Sequence, residues 1–390
     1  MIISRFRQYK VALLATLSVF VQILPAQSPK PLDFQGLWIV RESMVSRAEV
    51  DRALPFARDA GFNHVFVQVR GRGDAYYKSL IVPRSDRIRE ADFDPLGYAV
   101  QRGHQLGLNV HAWVTTYLLW SARQPARSKA HLYNMHPEWL EVRADGFKQR
   151  DIDLSAPRDG SFEGVYLSPT HPEVNPYLRA IFTEILLNYA IDGLHLDYVR
   201  YFDLDYGYNE VGIRRFMESN GFDPRAISGP QLAPGGLTGG SDQMEIWHNY
   251  RRKKVSDLIT SMHAIITLSG KEVMLTAAVK PNLRVARAKY FQDWLQWLKD
   301  GVLDYAMPMN YTPVREDYLT NLRITLEGVP YRMRRQVVMG IATYNQSATD
   351  AADRISLARM AGLRGIALFS YDTHKTDLSH FDAIVEALRR

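Results

Sequence analysis

The chain of 390 residues has no cysteine, which removes disulfides, thiolate metal ligands and thiol nucleophiles together. It has no Lys/Arg-rich block with interleaved aromatics. Its formal net charge of +6 therefore argues weakly for nucleic acid and modestly for an anionic surface or polymer. It has no HEXXH or HXH pair, so His195 and His111 lack the spacing of a metal-ligand set, and no metal or other cofactor is expected. No glycine-rich phosphate loop follows the first β-rich run. The apolar run from Val11 to Leu24 is short for a membrane span.

What is present has a clear layout. A hydrophobic fraction of 46% with 23% charged residues is that of a soluble globular chain able to bury one large core. Arg5, Arg7 and Lys10 precede the apolar run, and PAQSPKP breaks it, which is the order of a secretory signal. Residues 1–27 are thus expected to be a signal peptide or an uncleaved anchor, the latter being the one route to membrane contact. Residues 33–390 are expected to be exported, periplasmic or secreted.

From Phe34 onward a β-rich run, a loop and an amphipathic helix recur. The runs are GLWIVR (36–41), HVFVQVR (64–70), LNVHAWV (108–114), GLHLDYV (193–199), EVMLTAAV (272–279), LDYAMPM (303–309), QVVMGIA (336–342) and GIALFSY (365–371). Ser46 with Glu49 suggests a capping box, Asp94-Pro95 an N-cap with its first helical residue, and Gly61, Gly107 and Gly301 suit helix ends. Pro55 marks a kink or the true start of the first helix. Eight strands alternating with helices imply parallel pairing, and closure gives an α/β fold of the TIM-barrel type, (β/α)8. An open doubly wound sheet is the rival. The segments 115–172 and 201–245 are too long for simple turns, and long loops after strands are where such barrels build binding sites.

Strand alternation then selects residues. In DGLHLDYVRY (192–201), His195 and Asp197 share the inward side while Leu194 and Leu196 face the helices. Asp197 ends the strand, at the functional face of a barrel. Gln68 and Arg70, and His111 and Trp113, pair in the same way. Glu42, Asp74, Asn310, Tyr311, Tyr344, Asn345 and Asp372 fall at or just past strand ends. Asp197 is the candidate catalytic carboxylate, or else a buried structural partner of Arg70 or Arg200. The two arginines orient carboxylates or bind substrate oxygens, since guanidinium stays charged. His195 and His111 suit hydrogen-bonded barrel positions, Trp294 and Trp297 a helix core. Trp113, Trp120 and Tyr311 suit an aromatic platform for a sugar. His111, His195, Tyr198, Asn310 and Tyr344 complete the candidate substrate-binding set.

A carboxylate with aromatics and arginines suggests glycoside hydrolysis, which ordinarily needs two carboxyl groups, one protonated and one ionised. Asp372, Glu42 and Asp74 are the candidates for the second, because the seventh strand ends in ATYNQ without an acid. A barrel that binds carbohydrate without turnover is the alternative. A metal-dependent hydrolase built on His195 and Asp197 would need further ligands.

DGLHLDYVRY has the outline of the family 18 chitinase strand DGxDxDxE, but His195 stands at its inner acidic position and Val199 at its glutamate, which rejects that chemistry. The motifs QGLW (35–38), FVQVRGRGDAYYKS (66–79), FDPLGYAVQRGHQLGLNVHAW (93–113), HPEWL (136–140), DGLHLDYVRY, DYAMPMNY (304–311) and GIALFSYD (365–372) together resemble the glycosyl hydrolase-like 10 family of bacterial barrel proteins. The resemblance implies an exported glycosidase-like barrel acting on an oligo- or polysaccharide, with some relatives acting on peptidoglycan glycan strands stripped of their peptides. It matches Asp197 to the family's acid at the end of the fourth strand and Asp372 to an acid after the eighth. Where some relatives have two consecutive acids, this chain has Asp197-Tyr198.

Overall fold

A computed structural model describes residues 31–156, 162–227 and 242–389. The expected signal or anchor at 1–27 and the Gly/Pro-rich stretch 229–241 lie outside the described residues. Eight parallel strands follow one another: β1 (Phe34–Ile39), β2 (His64–Arg70), β3 (Asn109–Thr115), β4 (Gly193–Asp197), β5 (Met274–Val279), β6 (Tyr305–Pro308), β7 (Val338–Ala342) and β8 (Gly365–Phe369). Their spatial order is β6-β5-β4-β3-β2-β1-β8-β7. The two remaining edges meet through parallel bridges Ala306–Val337 and Met309–Gly340. The sheet is therefore a nearly closed (β/α)8 barrel. In an open sheet β1 and β8 would not be neighbours, yet Phe34 to Leu37 pair in register with Gly365 to Leu368.

The helices begin and end on local chemistry. Ser46 accepts from Glu49 N to open Arg47–Asp59, and Asp94 accepts from Gly97 N to open Pro95–Gln105, each satisfying an amide that has no partner within its helix. Gly61, Gly107 and Gly301 sit just past helix ends with φ of 90°, 71° and 68°, a conformation costly for residues with a Cβ. The first helix continues through Pro55, forgoing the one bond that proline's missing N–H would donate to the previous turn.

The strands separate two apolar layers. Outside, Leu194, Leu196, Val65, Val67, Leu275 and their neighbours pack beneath the helices, where Trp294 and Trp297 are fully buried. Inside, a smaller core is made of Phe34, Trp38, Phe66, Trp113, Met307, Val338 and Ala367. Three buried histidines interleave with these rings. His64 lies 3.7 Å from Phe34 in a stack, and Phe66 is 4.6 Å from both His111 and His195. Gly193 allows this layer to close, because a Cβ there would lie 1.9 Å from His111 Nδ1.

The long third loop is not formless. Leu118–Trp120 pairs antiparallel with Val165–Tyr166, a ribbon that leaves the barrel after β3 and brings residues 163–166 back over its mouth. The loop after β4 carries the helix Glu210–Asn220 and leads to the long helix Asp242–Ser269. Among the described residues no helix is long and apolar enough to cross a membrane.

Candidate active site

At the C-terminal end of the strands lies a cleft of about 510 Å³, lined by residues from every side of the barrel. Asp197 sits in its wall, 7% exposed. The residue after it, Tyr198, has φ of 51°, a left-handed conformation uncommon for a bulky side chain and of the kind that clusters at functional sites. Tyr198 N donates to Asp197 Oδ1 at 2.7 Å, and Trp113 Nε1 donates to Oδ2 at 3.2 Å. Burial pushes the Asp197 carboxyl up to about 6, against the pull of those donors and of Arg200.

A second carboxylate lines the same cleft. It is Glu163, which the long third loop delivers to the mouth. Arg200 Nη2 donates to both its oxygens at 2.8 and 2.6 Å, Tyr166 donates its hydroxyl to Oε2, and Lys280 Nζ stands 3.9 Å from Oε1. Burial opposes its ionisation, but Arg200 and Lys280 outweigh that cost and hold it below the usual carboxylate range. One cleft thus holds a carboxyl group biased toward its protonated form and another biased toward its anion. Environments that push two acids apart in this way are how a site assigns acid and base.

The remaining walls are aromatic. Tyr311 stacks on Phe369 with centroids 5.6 Å apart, Trp38 meets Tyr311 edge-on, and Trp113 meets Phe369 edge-on at 6.1 Å. Tyr344 stands edge-on to Tyr311 and is 51% exposed, which leaves a ring face open to a ligand.

Of the residues expected from sequence, the structure brings Asp197, Trp113, Tyr198, Arg200, Tyr311 and Tyr344 together around this cleft. It does not bring the three expected partners of Asp197 there. Asp372 is tied down by Val40 N and Ser43 Oγ, both at 2.6 Å. Glu42 pairs with Arg41 and Arg87. Asp74 accepts from Arg72 N and lines a separate hollow with Trp120. Trp120 accordingly faces no part of the central cleft, and its indole donates to Gln124 O.

Four more candidates have structural employment. Arg70 is wholly buried and donates to the carbonyls of Thr115 and Thr116 at the end of β3, not to Asp197. Asn310 donates to Tyr318 O and accepts from Asn321. His111 bonds His64 at 2.9 Å. His195 accepts from Trp38 Nε1 at 3.1 Å and pairs through Nδ1 with Thr276 Oγ1 at 2.8 Å, so both ring nitrogens are engaged. Burial drives its imidazole down to about 3, a permanently neutral ring.

Sequence reasoning missed Glu163, Lys280, Trp38, Arg41 and Phe369. For Lys280 a signal existed: Thr276, Ala278 and Lys280 follow the same inward alternation used for β4. The same rule extends Phe34 to Trp38 and Ala367 to Phe369. For Glu163 the only hint was an arginine, Arg200, that needed an anion.

A barrel whose strand ends converge on a carboxylate pair and an aromatic-lined cleft defines a protein of the glycosidase class. The model of the family described as glycosyl hydrolase-like 10 matches residues 33–347. The chain belongs to that family and is a glycoside hydrolase. It is similar to glycosyl hydrolase DigH of Escherichia coli K12, 25% identical over 335 residues covering 74% of this chain and 67% of the relative. It is also similar to glycosyl hydrolase YngK of Bacillus subtilis, at 23% identity over 68% of this chain and 49% of the relative. In fold it is similar to the PgaB glycoside hydrolase domain of Bordetella bronchiseptica, with a TM-score of 0.66, 14% identity and coverage of 91% and 98% of the two chains. Alpha-L-fucosidase isoenzyme 2 of Paenibacillus thiaminolyticus gives 0.62 at 14% identity, over 91% of this chain and 49% of that one.

Proposed function

We propose that this enzyme hydrolyses the glycosidic bonds of an extracytoplasmic polysaccharide, with Asp197 as general acid and Glu163 as its ionised partner. Asp197 gives its proton to the leaving oxygen as the bond from the anomeric carbon breaks. Glu163 acts from its anionic form, as nucleophile or as the base that activates water. The aromatic rings hold the sugar by its apolar faces. The observation that carries this reading is the pair itself: two carboxyl groups in one cleft, one raised by burial and the other lowered by Arg200 and Lys280.

Peptidoglycan glycan strands without peptides are the substrate we favour. A net charge of +6 suits approach to an anionic wall polymer, and Arg5, Arg7 and Lys10 before an apolar run support export to where such polymers lie. The test is product release by mass spectrometry, with residues 28–390 on peptide-free strands beside a panel of neutral polysaccharides. Release from the strands by the wild type and its loss in Asp197→Asn are expected. Unchanged release by Asp197→Asn would remove that residue from the mechanism. Tight binding without release from any polymer would overturn hydrolysis.

A further inference from the structure

Among the described residues three cations line the cleft, and they are not equivalent. Arg200 is buried and committed, with Nη2 on both oxygens of Glu163 and Nη1 on Tyr201 O at 3.1 Å. Arg41 is also engaged: Nη1 donates to Gln68 Oε1 at 3.0 Å, and Nη2 lies 3.3 Å from Glu42. Each of these guanidinium groups has a carboxylate beside it, although Arg41 shares Glu42 with Arg87.

Lys280 is different. Its backbone is clamped, with its N–H on Gln292 Oε1 at 2.8 Å and its carbonyl accepting from Trp294 Nε1 at 3.1 Å. Its ammonium lies over the Tyr290 ring, 4.7 Å from the centroid. Among the described residues no carboxylate is within hydrogen-bond reach of it; Glu163 Oε1, at 3.9 Å, is beyond that limit and accepts from Arg200 instead. The side chain is 25% exposed. Lys280 is thus a positioned charge in the cleft whose ammonium makes no hydrogen bond to a side chain or carbonyl among the described residues.

A neutral sugar ring gives such a group only hydroxyls. A carboxylate gives it an opposite charge as well as an acceptor, a Coulomb attraction that a hydroxyl lacks and that a partly dry site screens less than water does. We propose that Lys280 is a specificity residue that recognises a carboxylate carried by the glycan in the cleft. The proposal rests on the glycosidase reading above and adds to it the charge of the substrate. Burial, and next Arg200, bring the Lys280 ammonium down to about 8, so the charge is present at neutral pH.

The test is calorimetric binding in an Asp197→Asn background, where chains remain intact. The probes are peptide-free glycan oligosaccharides bearing the lactyl carboxylates of muramic acid, and the same chains with those groups reduced to alcohols. The acidic chains are expected to bind about tenfold more tightly than the reduced ones. Adding Lys280→Met is expected to abolish the difference by weakening only the acidic chains, and Lys280→Arg to keep it. Equal affinity for both chains before any change at Lys280 would overturn the proposal, and that comparison stands even where a Lys280 variant fails to fold. Equal weakening of both chains by Lys280→Met would also overturn it, marking Lys280 as a support for Glu163. Release of products by the wild type is scored alongside. Absence of release with the tenfold preference intact would count against hydrolysis and leave the Lys280 assignment standing.

Discussion

His195 and Asp197 lie on the same face of β4, one pleat apart, and their environments are opposite. His195 is sealed among Trp38, Phe66 and Trp113, with both nitrogens bonded to neutral groups. Asp197, one step closer to the mouth, is buried against donors but borders open space that also holds Glu163, Arg200 and Lys280. Burial shifts both groups toward neutrality. In the histidine this yields an inert core ring, because nothing reaches it. In the aspartate it yields a carboxyl group poised at about 6 beside a cavity a sugar can fill. The lesson is that a buried titratable group becomes a functional candidate through access, not through its shift alone.

The largest effect that would break this contrast is at Asp197. Replacing it with Asn should lower turnover by about 10²–10⁴-fold, measured as product release, with the thermal midpoint nearly kept. A loss of folding with normal activity in the remaining native protein would instead put Asp197 with the histidines. Next is the pH profile of kcat/KM. Asp197 must be protonated and is raised to about 6, so activity should fall as pH rises through about 6. Glu163 must be ionised and is lowered, so the acid limb should lie below the ordinary carboxylate range. A profile flat across pH 5 to 8, the ~3-unit span that contains this limb, would contradict the acid assignment.

His195→Ala should do the reverse of Asp197→Asn. Removing the ring leaves a cavity, an unpaired donor on Trp38 and a Thr276 hydroxyl without the N–H it accepted from, at a cost of about 2–4 kcal/mol in thermal or denaturant unfolding. Turnover per folded molecule should stay within about tenfold, the loss coming through Trp38, which both holds His195 and lines the cleft. The smallest effect is at the rim: Tyr344→Ala should raise KM about three- to tenfold with little change in kcat, since a half-exposed ring supplies stacking of about 1 kcal/mol.

Much of the fold was legible because alternation is local. Eight runs with inward and outward faces are read from neighbours in sequence, and the capping signals at Ser46 and Asp94 depend on residues three apart. The inward placement of Asp197 was legible for the same reason, standing in parity with His195 at a strand end. The acid that shares its cleft was not. Asp372, Glu42 and Asp74 are all acids near strand ends, but backbone amides, Ser43 and two arginines claim them in the folded chain. Glu163 sits in a polar loop of no regular period, more than thirty residues before Asp197. The pairing of Leu118–Trp120 with Val165–Tyr166, with Glu141 N on Tyr166 O, carries it to the mouth.

The sequence by itself determined the barrel, its family motifs and the inward placement of Asp197, because strand pleat and helix capping are set within a few residues. The tertiary structure decided which charges cancel. Arg70 went to backbone carbonyls, Arg200 to Glu163, Arg41 to Glu42, and Lys280 was left facing the cleft. Electrostatic pairing depends on distances of a few ångströms between segments far apart in the chain, and those distances exist only once the barrel has closed.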